Sequence, residues 1–299
     1  GDHRDLHSFP TRRSSDLVSS TTPSGLIPFP VPGATLTSPK GTYTVGQLIG
    51  DGHYGSVYET LGPFDQPFAL KMLRPANKPY EAVKQEWATE LKRLESFRHP
   101  NIVYIHDAFE ENFLFYLVLE RCDTSLRALL ELGPMAPPVF VEVTRQLLMT
   151  LQYLHDAGLV HSDLHSGNVL LSQVDRWPIV KLTDFGVAHQ LQGQSWFRPR
   201  VANPKILTPE LVTAGYTTRQ SDLYQLGLLM FHMHTGRSPL EGEGQAIQQQ
   251  IAEGTPRKLA EALQTPFSAV IAKLLRRRDA YRYQSAKEVW EDLRKCMWW

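Results

Sequence analysis

Two stretches early in the chain carry residues suited to holding a phosphate group. Gly50, Gly52 and Gly55 lie between two strand-like runs, where the missing side chains let backbone amides approach an anion closely. Lys71 follows in the apolar run Phe68–Met72, where a charged side chain must find a partner. A plain glycine-rich hairpin and a solvent-facing lysine are the alternatives for these residues taken alone.

Two later stretches supply carboxylates. Asp163 and Asn168 belong to the polar sequence HSDLHSGN, which precedes the apolar Val169–Leu171 and therefore forms a loop that enters a strand. Asp184 begins the sequence Asp-Phe-Gly further along the chain. A carboxylate suits a hard cation that keeps several waters. Phosphate transfer needs such a cation together with an acceptor for the proton of the nucleophile.

In this order the four stretches resemble the active-site motifs of a eukaryotic-type protein kinase, most of all a Ser/Thr kinase. Any one motif is weak evidence by itself, because G-x-G-x-x-G also marks dinucleotide-binding folds. The resemblance extends from about Tyr43 to Leu293. It implies an enzyme that transfers the γ-phosphate of ATP, with Mg²⁺ as cofactor, to Ser/Thr hydroxyls of protein substrates.

The resemblance implies a catalytic role for four residues: Lys71, Glu90, Asp163 and His165. Lys71 would contact the α- and β-phosphates of ATP and pair with a helix glutamate. Glu90 is the expected partner, because the register of its helix to His99 matches the family, and Glu86 is the competitor one turn earlier. Asp163 would accept or orient the proton of the substrate hydroxyl.

The same resemblance implies the metal and nucleotide contacts. Asp184 would hold the main magnesium ion and Asn168 the second. The residues expected to contact ATP are Gly50, Gly52, Gly55, Val57, Ala69, Lys71, Leu119, Glu120, Cys122 and Leu170. The residues expected to have structural roles are Phe185 and Gly186 in the turn, Asp222 as anchor of the catalytic loop, and Glu210 with Arg282 as a buried pair.

The chain departs from the family pattern near the catalytic aspartate. Ser162 replaces the usual arginine, which is a non-RD arrangement, and His165 replaces the lysine that is usual in Ser/Thr kinases. Asn203 and Ile206 depart from the pattern that precedes Pro209-Glu210. Because the aspartate and the asparagine of the loop are intact, the departures at Ser162 and His165 bear on regulation and substrate class rather than on catalysis.

The elements that must position these residues change in character along the chain. Strand-like runs occupy Thr44–Ile49, Ser56–Thr60, Pro67–Met72, Ile102–Phe109 and Phe113–Glu120. Apolar periodicity predicts helices over Tyr80–Phe97, Pro137–Ala157, Arg219–Thr235 and Ser285–Cys296. This order fits the α+β, bilobal protein-kinase fold: a small antiparallel-sheet N-lobe with one helix at 43–120, a hinge at 120–123 and a larger, mainly helical C-lobe at 124–297.

Composition bears on the partners and the location. Lys+Arg and Asp+Glu both number 31, so the net charge is zero and nothing indicates a nucleic-acid partner. No apolar run is long enough to span a bilayer. Cys122 and Cys296 are too few for a disulfide framework, which favours a reducing, cytoplasmic location. ATP and protein substrates are the expected partners, and the oligomeric state stays open.

The first 42 residues are expected to lie outside the folded domain. Residues 1–17, GDHRDLHSFPTRRSSDL, resemble the translation of a common sequencing adapter, with a disordered natural tail as the alternative. Residues 18–42 are rich in Pro, Ser and Thr and predict an extended linker. The folded part would then begin near Tyr43.

Two other function classes stay open. Asp163-Leu164-His165 with Asn168 also resembles the D-L-H-x-G-N of aminoglycoside phosphotransferases, which act on small molecules. The glycine-rich loop, the Asp-Phe-Gly turn and the Pro-Glu element argue against that class. A pseudokinase scaffold that only binds partners usually lacks the lysine or one of the two aspartates. Lys71, Asp163 and Asp184 are all present.

Overall fold

The structure is a computed structural model that describes residues 18–19, 26–27, 29–51, 55–73, 78–173, 177–199 and 207–297. The chain divides into two compact units. The first comprises Gly1–Leu91 and Ile105–Leu119, and the second comprises Lys92–Tyr104 and Glu120–Trp299. A sheet dominates the first unit and helices dominate the second, which is the α+β fold expected from the sequence.

The first unit is built on an antiparallel sheet. The elements in this part of the chain are β1 (Val18–Ser19), β2 (Leu26–Ile27), β3 (Thr35–Ser38), β4 (Gly41–Asp51), β5 (Gly55–Leu61), β6 (Pro67–Leu73), α1 (Tyr80–Ser96), β7 (Ile105–Glu111) and β8 (Leu114–Glu120). Strands β1 and β2 pair only with each other within the described residues. The main sheet has the order β3-β4-β5-β6-β8-β7.

One side of this sheet forms the core of the first unit. Strand β4 alternates between exposed threonines and the buried side chains of Tyr43 and Val45, as expected for a strand with one face covered. Leu70 and Met72 of β6 join them in the same apolar cluster. Helix α1 is fixed to the sheet by the Trp87 indole, which donates to a main-chain carbonyl of β8 at 3.0 Å.

The prediction of a linker through residue 42 is wrong at its C-terminal end. Strand β3 pairs with β4, so that Leu36 lies opposite Tyr43, and the main sheet therefore begins at residue 35. The hydroxyls of Ser38 and Tyr43 both donate to the buried carboxylate of Asp107, Tyr43 at 3.0 Å. Burial, together with the Asp107 hydrogen bond, raises the pKa of Tyr43 to about 12. The side chains of Thr35–Ser38 alternate between exposed and buried, as in a strand. The polar composition of the segment hid this pattern in the sequence.

Helices form most of the second unit. Its helices are α2 (Leu126–Leu130), α3 (Pro137–Asp156), α4 (Pro209–Ala214), α5 (Arg219–Thr235), α6 (Gln245–Glu253), α7 (Thr255–Glu261), α8 (Ser268–Leu274) and α9 (Ala286–Leu293). Its strands are β9 (Thr124–Ser125), β10 (Leu159–Val160), β11 (Val169–Ser172), β12 (Ile179–Leu182), β13 (His189–Gln190), β14 (Trp196–Phe197) and β15 (Thr217–Thr218). The strand order is β12-β11-β9 in the largest of these sheets.

Helix α5 is the central element of the second unit. It is buried along most of its length, from Ser221 to Phe231 without interruption, because α3 and α8 both pack against it. A Cβ at Gly227 would lie 2.8 Å from the Leu274 Cβ, so glycine permits the close approach of α5 and α8. Asp222, in the first turn of α5, thereby has a fixed and fully buried position.

The predicted boundary between the lobes needs a correction, because Lys92–Tyr104 belongs to the second unit. The Asn101 amide donates to Gln146 at 2.7 Å and to the Val180 carbonyl at 3.0 Å. Ile102 forms a parallel bridge with Leu182. The strand predicted from residue 102 therefore begins at residue 105, since the first residues of that run pair with β12.

Candidate active site

Lys71 lies in the middle of β6 and forms a buried ion pair. Its ammonium is 2.7 Å from Oε1 of Glu90, and the two side chains are 7% and 4% exposed. The neighbouring Leu70 and Met72 are fully buried, so the strand holds this lysine inside the first unit. Glu86, the competitor, instead meets Lys78 at 2.8 Å, and that pair is exposed. The helix register therefore distinguishes the two glutamates.

The glycine-rich stretch connects β4 and β5. Gly50 lies opposite Val57, and a Cβ added at Gly50 would meet Val57 at an ordinary 3.6 Å. A Cβ at Gly55 would collide with the Met72 carbonyl of β6, so the packing of the sheet itself requires this glycine. Gly52 lies outside the described residues. Packing does not account for the glycine at position 50.

The other residues expected to contact ATP are divided between the two units. Ala69 and Leu119 are buried in the first unit, and Val57 is half-buried there. In the second unit, Glu120 accepts from the Tyr104 main-chain amide at 2.7 Å and from the Lys181 ammonium at 2.9 Å. Leu170 is half-buried and pairs with Ser125. Cys122 is buried, and burial raises the pKa of its thiol.

Asp222 holds the start of the loop His161–Asn168 in the second unit. Its carboxylate accepts from the main-chain amides of His161 at 2.9 Å and Ser162 at 2.8 Å. The His155 ring nitrogen Nε2 lies 2.8 Å from the same carboxylate. Ser162 adopts φ +68°, a left-handed conformation that is uncommon outside glycine. Asp222 therefore fixes the backbone just before Asp163.

Asp163 and Asn168 are joined within the same loop. The Asn168 amide donates to the Asp163 carbonyl at 2.9 Å and to its carboxylate at 3.0 Å, and both residues are buried. His165 places Nε2 at 3.6 Å from the Asp163 carboxylate. Because Nδ1 of this ring accepts from the Gly167 amide at 3.0 Å, its proton must lie on Nε2, facing the aspartate.

The Asp-Phe-Gly turn is attached directly to this loop. The Thr183 amide donates to the Asn168 carbonyl at 3.0 Å, and the next residue, Asp184, adopts φ +64°. Phe185 is fully buried, with its ring 4.7 Å from that of Phe97 and 5.1 Å from that of His161. The turn is thereby anchored on both sides of Asp184.

The metal ligands available in the second unit fit a magnesium ion whose coordination shell is completed by phosphate and water. Within the described residues, no group of three His, Cys, Asp or Glu is arranged as a self-sufficient metal site. Asp184 and Asn168 lie on segments that hydrogen-bond to each other and offer oxygen ligands. Mg²⁺ in phosphate-transfer sites is bound through one or two carboxylates, with phosphate and water completing the shell.

Glu210 and Arg282 form the second buried ion pair. The two guanidinium nitrogens of Arg282 contact the two carboxylate oxygens at 3.0 and 2.7 Å, and Ser221 donates to the same carboxylate. Burial alone would raise the pKa of Glu210, but Arg282 and Ser221 outweigh it, so the pKa is lowered. Residues 202–206, including the departures at Asn203 and Ile206, lie outside the described residues.

Sequence reasoning missed three residues that support the site. Arg93 donates to the Phe185 carbonyl at 2.7 Å, and the His155 ring meets Asp222. Gln225 accepts from the Leu164 amide and donates to the Ser162 carbonyl, both at 3.1 Å. Gln225 follows Asp222 by three residues on α5, and this helical spacing was a signal that could have identified it.

Comparison with known families gives the class of the protein. The protein kinase domain family matches residues 43–293, which is most of the chain. The chain therefore belongs to the protein kinase domain family, in agreement with the sheet of the first unit and the helices of the second.

Three relatives illustrate the range of similarity. Serine/threonine-protein kinase PrkC of Bacillus subtilis is 28% identical over 265 residues, covering 85% of this chain and 40% of PrkC. A probable serine/threonine-protein kinase of Streptomyces coelicolor is 30% identical, with 86% and 40% covered. Mitogen-activated protein kinase kinase kinase 1 of Arabidopsis thaliana is 31% identical, with 88% and 42% covered. The chain thus spans about two fifths of the length of these relatives.

Proposed function

We propose that this domain is a serine/threonine kinase that transfers the γ-phosphate of ATP to protein hydroxyls. The observation that carries the proposal is the Lys71–Glu90 ion pair, 2.7 Å long and almost fully buried. A hydrophobic pair of similar volume would serve the core equally well or better, so stability alone does not account for two charges at this place. Lys71 would bind the α- and β-phosphates, with Glu90 orienting its ammonium.

The second unit would supply the acceptor for the substrate proton. Asp222 fixes the backbone before Asp163, Asn168 donates to its carboxylate, and the His165 ring places Nε2 at 3.6 Å from the same carboxylate. This arrangement orients the carboxylate before any substrate arrives, so the protein need not reorganise during transfer. Asp163 would accept the hydroxyl proton as the oxygen attacks phosphorus.

Asp184 and Asn168 would hold Mg²⁺, which neutralises phosphate charge during transfer when it is bound. Both offer oxygen ligands, and the hydrogen bond from Thr183 to the Asn168 carbonyl links their segments. Asp184 has a left-handed backbone, with φ +64°, and aspartate tolerates this conformation better than most residues.

Protein substrates are favoured over small molecules and over a scaffold role. The relatives are named as serine/threonine-protein kinases. The buried Glu210–Arg282 pair is a further argument for a protein kinase, because resemblance to the D-L-H-x-G-N motif of aminoglycoside phosphotransferases does not account for it. Retention of Lys71, Asp163 and Asp184 argues against a scaffold. We further propose that the kinase is of the non-RD type, since Ser162 carries no charge, and that it works in the cytoplasm, where ATP is abundant and Cys122 and Cys296 stay reduced.

Radiolabelled phosphate transfer tests this proposal. The purified chain, given ATP and Mg²⁺, should label casein or myelin basic protein on serine and threonine, as determined by phosphoamino-acid analysis. Chelation of the metal and the Asp163→Asn substitution should each abolish the label. Labelling of an aminoglycoside in preference to protein would support the small-molecule class, and phosphotyrosine as the main product would contradict the assigned specificity.

A further inference from the structure

A groove with uncompensated positive charge lies in the second unit, between α7 and the segment that follows α8. A cavity of about 230 Å³ is lined by Arg257, Arg276, Arg277, Arg278 and Tyr281, and we call it the arginine groove. None of these residues belongs to the candidate active site. The net charge of the chain is zero, so this concentration of arginine is a local feature and not a reflection of composition.

The charges of three of these arginines are not neutralised. Arg257 is paired with Glu261 at 2.7 Å, but Arg276, Arg277 and Arg278 form no ion pair with any carboxylate in the part of the chain that the structure describes. All three line the same cavity, so an anion there would interact favourably with their positive charges.

The three side chains contact neutral groups. Arg276 donates to the Tyr281 carbonyl at 3.1 Å, and Arg277 donates to the Ala252 carbonyl at the end of α6. The guanidinium of Arg278 lies 5.8 Å from the centre of the Tyr281 ring. These contacts orient the side chains without cancelling their charge, so part of the ordering cost of binding an anion is already met by the fold.

The groove continues into an adjoining cavity. This second cavity, of about 380 Å³, shares Arg257 and Arg276 with the first, and its other lining residues are Glu261, Ser268, Ala269, Ala272 and Lys273. A ligand with a doubly charged group at one end and a chain of modest width would occupy both cavities. Guanidinium forks match phosphate oxygens in bidentate geometry, which distinguishes this site from a lysine-rich surface.

We propose that the arginine groove binds a phosphoserine or phosphothreonine side chain of a protein segment, whose extended backbone lies in the adjoining cavity. Charge complementarity selects a dianion, and the concave form of the two cavities suits a peptide better than a flat bilayer surface. The balanced charge of the whole chain disfavours a long nucleic acid, which gains affinity from many phosphate contacts. The domain would thus recognise a phosphorylated protein at a place separate from its proposed phosphate-transfer residues.

Fluorescence anisotropy with a labelled peptide tests the proposal. The probe carries a single phosphoserine between neutral residues, and the same peptide with serine is its control. The phosphorylated peptide should bind at least about tenfold more tightly, as expected for charge-assisted hydrogen bonds. Arg278→Gln should remove most of this difference, and Arg277→Gln/Arg278→Gln should remove nearly all of it.

The matched control is Arg294→Gln, which removes the same charge from an exposed position of the second unit that lines neither cavity. It should leave binding unchanged. Thermal unfolding checks that each variant is folded, and Arg278→Lys, which keeps the charge but loses the fork, should bind with intermediate affinity. Arg278→Gln should also leave phosphate transfer to an unphosphorylated substrate unchanged, because Arg278 is not in the candidate active site.

Several outcomes would overturn the proposal. Equal affinity for the serine and phosphoserine peptides would do so, as would equal losses in Arg278→Gln and Arg294→Gln. Displacement of the peptide by phosphatidylserine vesicles or by a single-stranded oligonucleotide, at lower phosphate concentrations than a second phosphopeptide requires, would assign the groove to a membrane or to nucleic acid instead.

Discussion

Arg282 and Glu210 meet across 72 residues of sequence in a bidentate ion pair whose side chains are 0% and 3% exposed. The Arg282 guanidinium also donates to three main-chain carbonyls, those of Gln220, Arg276 and Arg277, and lies 4.7 Å from the Tyr224 ring centre. One side chain thus joins α4, the start of α5 and the segment after α8.

Arg282→Met should lower the free energy of unfolding by about 3–5 kcal/mol, because the Glu210 carboxylate would remain buried without its partner. Arg282→Lys should restore little, since an ammonium cannot form the bidentate contact. Urea unfolding measures both changes. The control Arg294→Gln, at an exposed position, should stay within about 0.5 kcal/mol of wild type. An equally small change in Arg282→Met would contradict a stabilising role for the pair.

Lys71→Met should abolish phosphate transfer and should also destabilise the fold by about 3 kcal/mol, because it breaks a buried ion pair. Lys71→Met/Glu90→Leu should recover the stability, since both charges are then gone, but not the transfer. Urea unfolding and radiolabelled transfer, measured on the single and double variants, separate the two effects. Recovery of transfer in the double variant would exclude Lys71 from catalysis.

Asp163→Asn and Asp184→Asn should each lower the rate of phosphate transfer by several orders of magnitude, as is found for groups that act as a unit. Both substitutions preserve shape, so the melting temperature should change little. Asp65→Asn, an exposed aspartate of the first unit, is the matched control and should keep full activity. If either catalytic-site variant retained a tenth of the wild-type rate, the role assigned to that residue would be wrong.

Stability should decline as the pH falls below about 6.5. Burial lowers the pKa of both His232 and His234 on α5. The unfolded chain, with ordinary histidine pKa values near 6.5, then binds protons that the folded chain does not, so the contribution is present above that pH and is lost below it. Melting temperatures between pH 7.5 and 5.5 should show this slope. His232→Gln/His234→Gln should reduce it, and an unchanged slope would show that other groups cause it.

The kinase should be active without phosphorylation of Ser195. In the proposed non-RD arrangement, Ser162 stands where an arginine would otherwise meet a phosphate on the segment after the Asp-Phe-Gly turn, although Arg198 and Ser195 line the same cavity. Phosphatase treatment and Ser195→Ala should each alter the transfer rate by less than about threefold, which is under about 1 kcal/mol of barrier. A tenfold loss after either treatment would reveal a phosphate switch.

Local patterns predicted the elements that carry the site. The spacing of Val83, Trp87, Leu91 and Leu94 predicted α1, which begins at Tyr80 and ends at Ser96, within one residue of the expected range. The register of that helix to His99 distinguished Glu90 from Glu86. Both glutamates lie on α1, one turn apart, so their relative positions follow from the local sequence alone.

Long-range contacts were not predictable in the same way. The place of Lys92–Tyr104 in the second unit depends on Asn101 meeting Gln146 and Val180, which are 45 and 79 residues away. The contact of Arg93 with the Phe185 carbonyl joins residues 92 positions apart. A single sequence shows which side chains can form hydrogen bonds, but not which distant partner the fold brings to them.

The pairing of β3 with β4 affects where the chain can be cut for expression. The family match begins at residue 43, and a shortened chain that starts there would lose β3. Strand β4, which would itself lose Gly41 and Thr42, would then become an open sheet edge, a known template for aggregation. Asp107 would also lose the Ser38 hydroxyl. A shortened chain should therefore start before Thr35, and the difference should appear as soluble yield rather than as altered chemistry.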